Sequence, residues 1–170
     1  MRQLEFYNNN LCYDFVTKFH TKITSIPKLS KMVLSISSSK KHSLISHSFA
    51  LELISNQKSV YILKKESKKI NDTAKYGSPV GCKVTIRKNN LLTIISNMLF
   101  LVNHNQTYTA EGKKITQDAI QFFIINCSSI EIIENNYRFF KELSRINVSL
   151  VFKNSKNSYC NTFLVRSLKI

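Results

Sequence analysis

The side chains with the clearest capacity for chemistry lie at alternate positions, a lysine, a threonine and an arginine at Lys83, Thr85 and Arg87. Apolar residues separate them, as in a strand that buries one face and exposes the other. Ammonium and guanidinium groups neutralise phosphates, and a hydroxyl can bind ribose or phosphate oxygens. This pattern predicts a strand whose exposed face binds a polyanion. The alternative is an edge strand on which lysine and arginine only oppose aggregation.

Patterns for catalysis or metal binding are missing from the sequence. The cysteines Cys12, Cys82, Cys127 and Cys160 form no C-x-x-C pair, and the four histidines have no metal-ligand spacing. The ten acidic residues include no pair at catalytic spacing, and no histidine stands beside a nucleophile. We therefore expect reduced structural cysteines, no metal, no cofactor and no enzymatic activity.

The charge of the chain points to an anionic partner. Its 170 residues include 25 lysines and arginines against 10 acidic residues, a net charge of +15 that is spread along the chain. Such a charge favours nucleic acid or an anionic membrane. The longest apolar run, from Leu91 to Val102, falls short of the ~20 residues that span a bilayer and predicts a core helix. No signal peptide opens the chain. We expect one domain over residues 1–170 that binds nucleic acid and no membrane.

A turn positions the basic strand. Gly77 can adopt a positive φ, while Pro79 fixes its own φ and pushes Ser78 toward extended geometry. We expect the strand to follow Pro79 and to bury one apolar face. The inward residues of this strand are Val80, Cys82, Val84 and Ile86.

Apolar periodicity predicts the other elements. Ser43 is a candidate N-cap for the second helix, and Asn56 a candidate left-handed residue at its end. A long loop is expected over 103–118. Helices are predicted at 4–19, 44–54, 91–100, 136–143 and 158–168. Further strands are predicted at 31–37, 60–64, 119–125, 130–133 and 147–153.

This order of elements predicts an α+β fold. Alternation along 31–37 puts Met32, Leu34 and Ile36 on one side, and the strand at 147–153 alternates in the same way. One-sided alternation is typical of a mainly antiparallel sheet with helices packed on one face. The other face of the sheet would be open, and we expect it to carry the basic residues that bind the polyanion.

Two segments resemble a known family. YGSPVGCKVTIR, from Tyr76 to Arg87, resembles the GMPIGCKVTLR segment of the universal large-subunit ribosomal protein that binds 5S ribosomal RNA, protein five of the large subunit. The segment around the first strand is similar to the family's P-x-I-x-K-I-V-L-N-M-G-V-G. It keeps Pro27, Lys31, Val33 and Leu34, whereas Ser35, Ser37 and Ser39 replace an asparagine and two glycines. The resemblance covers nearly the whole chain in element order, strongly over 27–87 and weakly after residue 102.

The resemblance implies a site on the open face. The family's sheet contacts to 5S RNA include an asparagine, a glutamine and a threonine, which correspond to Ser35, Gln57 and Thr85 here. The implied RNA-binding residues are Ser35, Gln57, Lys58, Lys83, Thr85 and Arg87. The family also has a loop that reaches the transfer RNA in the peptidyl site. That role would fall here to Lys68, Lys69, Lys75 and Tyr76.

The function implied by the resemblance is that of a structural constituent of the large ribosomal subunit. The expected partners are 5S and large-subunit ribosomal RNA in the central protuberance, peptidyl-site transfer RNA, and neighbouring proteins that include one of the small-subunit head across an inter-subunit bridge. Abundant Asn, Lys and Ile indicate an A/T-rich genome. Since no transit peptide precedes the family's start, we expect an organelle-encoded chain, mitochondrial in the first instance, with plastid or bacterial cytoplasm as alternatives. The rival functions are an RRM-like RNA-binding module and an RNA-processing enzyme.

Overall fold

The structure, a computed structural model, describes residues 13–14, 16–18, 26, 28–38, 41–64, 77–87, 90–91, 93–95, 114–116, 118–124, 127, 130–143 and 145–154. The strands within these residues are β1 (Lys28–Ser37), β2 (Val60–Leu63), β3 (Pro79–Arg87), β4 (Lys114–Ile115), β5 (Ala119–Ile124) and β6 (Ile146–Lys153). The helices are α1 (Lys41–Ser55), α2 (Glu131–Glu134) and α3 (Tyr137–Phe140).

The six strands form one antiparallel sheet. Their spatial order is β2-β3-β1-β6-β5-β4, and every neighbouring pair among them is antiparallel. The first and last of the long strands, β1 and β6, lie side by side at the centre. The predicted α+β fold with a mainly antiparallel sheet is therefore confirmed.

One face of the sheet forms the core. On β1, Met32, Leu34 and Ile36 are buried, as their alternation predicts. They pack in one cluster with inward residues of β3, β5 and β6 and with Ala50 and Leu51 of α1. Each fully buried aliphatic side chain of this size contributes about 1.5–3 kcal/mol. The helices thus hold the inward face, and the outward side chains are free to carry function.

The long helix α1 begins earlier than predicted. It starts at Lys41, so the prediction that Ser43 is its N-cap is wrong. Ser43 is buried within the first turn, and its hydroxyl oxygen lies 2.6 Å from that of Ser38 at the end of β1. The predicted end is confirmed: Asn56 has a φ of 51°, and its amide donates to the carbonyl of Glu52 at 2.8 Å.

Two predictions about the second half of the chain are wrong. Residues 130–133 were expected as a strand, but helix α2 begins there, and the amide of Ile133 donates to the carbonyl of Ile130 at 2.7 Å. Ile130 and Ile133 are buried while Ile132 is exposed. So short an apolar run does not distinguish the two-residue period of a strand from the longer period of a helix. The long loop expected over 103–118 contains β4, which pairs with β5 across a turn closed by Thr116 and Ala119.

Two other predicted helices are described only in part. Residues 13–14, 16–18, 90–91 and 93–95 are helical. Leu91, Ile94 and Ile95 belong to the core cluster, which agrees with a core helix at this position. The predicted last helix, 158–168, lies outside the described residues. In the part of the chain that is described, no helix has the length and apolar character needed to cross a membrane.

Candidate nucleic-acid interface

The outward side chains of four strands share one surface, here called the open face. The helices place their buried side chains in the core on the opposite side of the sheet. The open face consists of Lys28, Lys31, Val33, Ser35, Lys83, Thr85, Arg87, Ala119, Gln121, Phe123, Asn147, Ser149, Val151 and Lys153.

The strand register arranges these residues in rows across the sheet. In one row Lys83 lies opposite Ser35, Ser35 opposite Asn147, and Asn147 opposite Phe123. Directly opposed Cβ atoms in antiparallel strands are about 4.5–5.5 Å apart, so neighbours in a row can act on one ligand. The next row contains Thr85, Val33, Ser149 and Gln121.

Cations are paired with cations on the open face. Lys31 lies opposite Arg87, and Lys28 lies opposite Lys153. Lys83 adds a fifth positive charge, and the open face as defined contains no aspartate or glutamate. Like charges directly opposite each other destabilise a sheet. A bound polyanion would attract each of these cations and so offset their mutual repulsion.

The close approach of β3 to β1 depends on Gly81. A Cβ atom at this position would lie 2.7 Å from the carbonyl oxygen of Ile36. Strand pairing continues beyond it, since the amide of Ser38 donates to the carbonyl of Val80 at 3.1 Å. Gly81 therefore lets Lys83, Thr85 and Arg87 of the same strand stand in register beside β1.

The turn before β3 has the predicted geometry. Gly77 has a φ of +77°, in the left-handed region that favours glycine. Its amide donates to the carbonyl of Lys64 at 3.0 Å, and the amide of Lys64 donates to the carbonyl of Ser78 at 3.0 Å. These two hydrogen bonds join the ends of the segment 65–76.

Gln57 and Lys58 lie in the connection between α1 and β2, not on a strand. Gln57 is half-buried and Lys58 is exposed. The hydroxyl of Ser55 is within hydrogen-bond distance of the amide and the carbonyl of Gln57, at 3.3 and 3.2 Å. Val60, two residues further on, pairs with Lys83 at the edge of the open face. The connection is thus held beside the row that starts at Lys83.

A carboxylate fixes the end of this connection. Glu52 of α1 accepts hydrogen bonds from the amide of Ser59 at 2.9 Å and from its hydroxyl at 3.0 Å. The hydroxyls of Ser48 and Ser59 are also hydrogen-bonded to each other. The amide of Ser59, then its hydroxyl, lowers the pKa of Glu52 below its ordinary value of 4.5, with a smaller contribution from Lys58 and against a burial cost. Glu52 is therefore ionised at neutral pH and holds Ser59.

The two described cysteines are structural. Cys82 and Cys127 are both buried, and neither forms a disulfide. Burial raises the pKa of each thiol to about 11, assisted at Cys82 by the charge of Glu52. A thiol is a nucleophile or a metal ligand only as the thiolate, so neither group is poised for chemistry. Within the described ranges, no three His, Cys, Asp or Glu side chains are grouped to hold a metal ion.

The structure brings together four of the six predicted RNA-binding residues. Ser35, Lys83, Thr85 and Arg87 lie on the open face, whereas Gln57 and Lys58 lie at its edge. The predicted transfer-RNA contacts, Lys68, Lys69, Lys75 and Tyr76, lie outside the described residues.

Three lysines of the open face were missed as site residues. Their outward position follows from alternation, but their pairing depends on the register of β1 with β3 and β6. The missed cations are Lys28, Lys31 and Lys153.

The chain is similar in sequence to three known ribosomal proteins. No family model matches the chain. Over 92 residues it is 36% identical to large ribosomal subunit protein uL5 of Wigglesworthia glossinidia brevipalpis, covering 51% of each chain. Over 102 residues it is 28% identical to uL5 of Blochmanniella floridana, covering 56% of this chain and 52% of the relative. Over 101 residues it is 29% identical to uL5m of Reclinomonas americana, covering 56% of this chain and 55% of the relative.

The chain spans about half the length of the curated relatives it matches. All three relatives carry the same family name. Their similarity, together with an open antiparallel sheet that has a cationic face, supports a divergent relative of the uL5 family.

Proposed function

We propose that the chain is a structural, non-enzymatic constituent of a large ribosomal subunit and that its open face binds ribosomal RNA. The observation that carries the proposal is the pairing of Lys31 with Arg87 and of Lys28 with Lys153 on a face without carboxylates. Like charges that face each other destabilise the sheet, and a polyanion that neutralises them removes this cost. The names of the curated relatives supply the ribosomal context.

The residues of the open face have different parts in this proposal. Lys83 and Arg87, both exposed, neutralise phosphates. Ser35 lies opposite Lys83, and Thr85 lies between Lys83 and Arg87 along β3. Their hydroxyls bond to ribose or phosphate oxygens, which fixes the position of the RNA without reading its sequence. Gln57 and Lys58 extend the contact around the edge strand.

The finer assignments rest on the resemblance to the uL5 family. The RNA is 5S ribosomal RNA, or the adjoining large-subunit RNA, in the central protuberance. The segment with Lys68, Lys69, Lys75 and Tyr76 contacts peptidyl-site transfer RNA, and a protein of the small-subunit head is a neighbour. The relative uL5m of Reclinomonas americana and the A/T-rich composition support a mitochondrial ribosome.

An RRM-like function is the second candidate. Modules of that class stack bases on aromatic side chains of the central strands. The outward residues described on the central strands β1 and β6 include no aromatic side chain. Those of the neighbouring strand β3 are Lys83, Thr85 and Arg87, which favour phosphate contacts instead. This difference supports the proposed function over base stacking on β3.

Sedimentation and crosslinking test the proposal. We expect the chain to co-sediment with the large ribosomal subunit of its source and Lys83 and Arg87 to crosslink to ribosomal RNA. With purified protein and a 5S RNA transcript, the logarithm of affinity should fall with the logarithm of salt with a slope steeper than about −2, because each neutralised phosphate contributes about −0.7 to −0.9. A slope near zero, or crosslinks confined to protein, would contradict the proposal.

A further inference from the structure

An arginine lies on an aromatic ring at the far end of the open face. The guanidinium carbon of Arg145 is 4.6 Å from the centroid of the Phe123 ring. Phe123 is outward on β5, and Arg145, directly before β6, is exposed. The ring attracts the cation and restricts its motion. One side of the guanidinium is therefore held by the ring, and its other contacts are available to a ligand.

An unsatisfied polar atom lies beside this pair. Asn147 is directly opposite Phe123, and its Oδ1 is buried without a hydrogen-bond partner. A buried acceptor without a donor is unfavourable, so a ligand that supplies a donor gains affinity. The terminal torsion of asparagine is broad, and rotation about it can turn the amide toward the open face.

The same row leads back to the phosphate-binding end. Asn147 is followed by Ser35 and then by Lys83. From β5 to β3 the row crosses three strand spacings, about 14 Å at about 4.8 Å each. One RNA can therefore place a phosphate at Lys83 and another group at Arg145.

We propose that Phe123, Arg145 and Asn147 form a second contact site on the open face, which takes one unpaired nucleobase of the bound RNA. The base stacks on the guanidinium of Arg145, whose position is fixed by Phe123, and its amino group or the adjoining ribose hydroxyl donates to Asn147. Unpaired bases stack on arginine planes and aromatic rings in RNA complexes, and their edges carry such donors. The inference rests on the proposed function, since the open face must first bind RNA.

A carboxylate of a protein partner is the other ligand that an exposed arginine takes. The nucleobase is favoured because the site combines a flat cation held on a ring with an acceptor that lacks a donor. A carboxylate supplies only acceptors and would leave Asn147 Oδ1 unsatisfied. The site therefore fits a group with a planar face and a donor at its edge.

Two conservative variants test the site. Arg145→Lys keeps the charge but removes the planar group, and Phe123→Leu keeps apolar volume but removes the ring. The probes are a single-stranded RNA dodecamer with one 2-aminopurine, which loses fluorescence when it stacks, and a duplex of the same sequence. We expect each variant to bind the single strand about 5- to 150-fold more weakly, to lose the fluorescence change and to bind the duplex unchanged. The salt slope of Arg145→Lys should match wild type.

Matched controls come from the helical side. Arg138 and Phe139 of α3 are exposed and belong to neither β5 nor β6. Arg138→Lys and Phe139→Leu should therefore leave both affinities unchanged. Thermal melts of all four variants check that the fold is retained.

The outcomes separate the site from the open face as a whole. If Lys83→Ala weakens binding while Arg145→Lys keeps the wild-type affinity and fluorescence change, the nucleobase site is wrong and the proposed function stands. If wild type binds neither RNA with salt dependence, the proposed function itself has failed.

Discussion

Gly81 of β3 lies so close to Ile36 of β1 that a Cβ atom there would stand 2.7 Å from the Ile36 carbonyl oxygen. That oxygen belongs to the backbone and cannot turn aside as a side chain would. The absence of a side chain at this position is thus a condition for the β1–β3 ladder on which Lys83 and Arg87 are displayed.

Replacement of Gly81 by alanine should loosen this ladder. We expect Gly81→Ala to lower the free energy of unfolding by about 1–3 kcal/mol, because the strands must shift to accept the methyl group. Hydrogen exchange of the Ser38 amide, which donates to Val80, should become faster. Gly77→Ala is the control. A Cβ atom added at Gly77 would have nothing within 4 Å, so this substitution strains only the positive φ of the backbone. Unchanged Ser38 exchange in Gly81→Ala would disprove the requirement for glycine.

The two faces of β1 should respond differently to truncation. Leu34 is fully buried and lies opposite Val84, whereas its neighbour Val33 points to the open face. We expect Leu34→Ala to lower the free energy of unfolding by about 2–5 kcal/mol, because it leaves a cavity in the core. Val33→Ala should lower it by about 1 kcal/mol or less. Denaturant unfolding of both variants measures this. Equal losses would mean that the inward and outward faces have been assigned wrongly.

The long strands could be predicted because their alternation is a local property. Met32, Leu34 and Ile36 can all be buried only if β1 is extended, and β3 and β6 follow the same logic. The short helix α2 could not be predicted, because Ile130 and Ile132 have the spacing of one strand face while Ile130 and Ile133 have the spacing of one helix face, and so short a run does not distinguish them. Asn56 was predictable, since asparagine tolerates the left-handed end of a helix.

The site was predictable only where it depends on alternation. Thr85 and Arg87 follow from the pattern of one strand. The pairing of Lys28 with Lys153 depends on register between strands far apart in sequence, and the register of β1 with β6 shifts between Leu29 and Lys31. The contact between Phe123 of β5 and Arg145, directly before β6, joins residues far apart in the sequence and has no local sequence signal.

The connection that carries Gln57 should depend on pH through Glu52. Hydrogen bonds from Ser59 lower the pKa of Glu52 below 4.5, so its contribution to stability is present above that pH and is lost as pH falls through the folded-state value. We expect Glu52→Gln to be less stable than wild type at about pH 7, with the difference shrinking at about pH 3. Chemical unfolding at both pH values measures the difference.

Glu134→Gln is the matched control for this pH dependence. Glu134 is an exposed residue of α2 and belongs to neither α1 nor the connection to β2. We expect its substitution to change stability by less than about 0.5 kcal/mol. A difference between wild type and Glu52→Gln that is the same at both pH values would show that Glu52 does not hold Ser59 as a carboxylate.

The central claim is that RNA is bound by the open face and not by net charge alone. Its most direct test compares two double variants that each remove two positive charges. One variant removes Lys83 and Arg87 of the open face, and the other removes Arg138 and Lys141, which are exposed on and after α3. All four positions are changed to alanine, and the dissociation constant for a 5S ribosomal RNA transcript is measured at one salt concentration.

We expect the open-face variant to bind at least about tenfold more weakly, since charge-assisted hydrogen bonds contribute about 1.5–3 kcal/mol each. The affinity of the helix-side variant should fall less than about threefold. Its charges would act on the RNA only from a distance, and dissolved salt screens such interactions. Melting curves should show both variants folded. Equal losses in the two variants would contradict the account, because RNA would then respond to the total charge of the protein and not to this face.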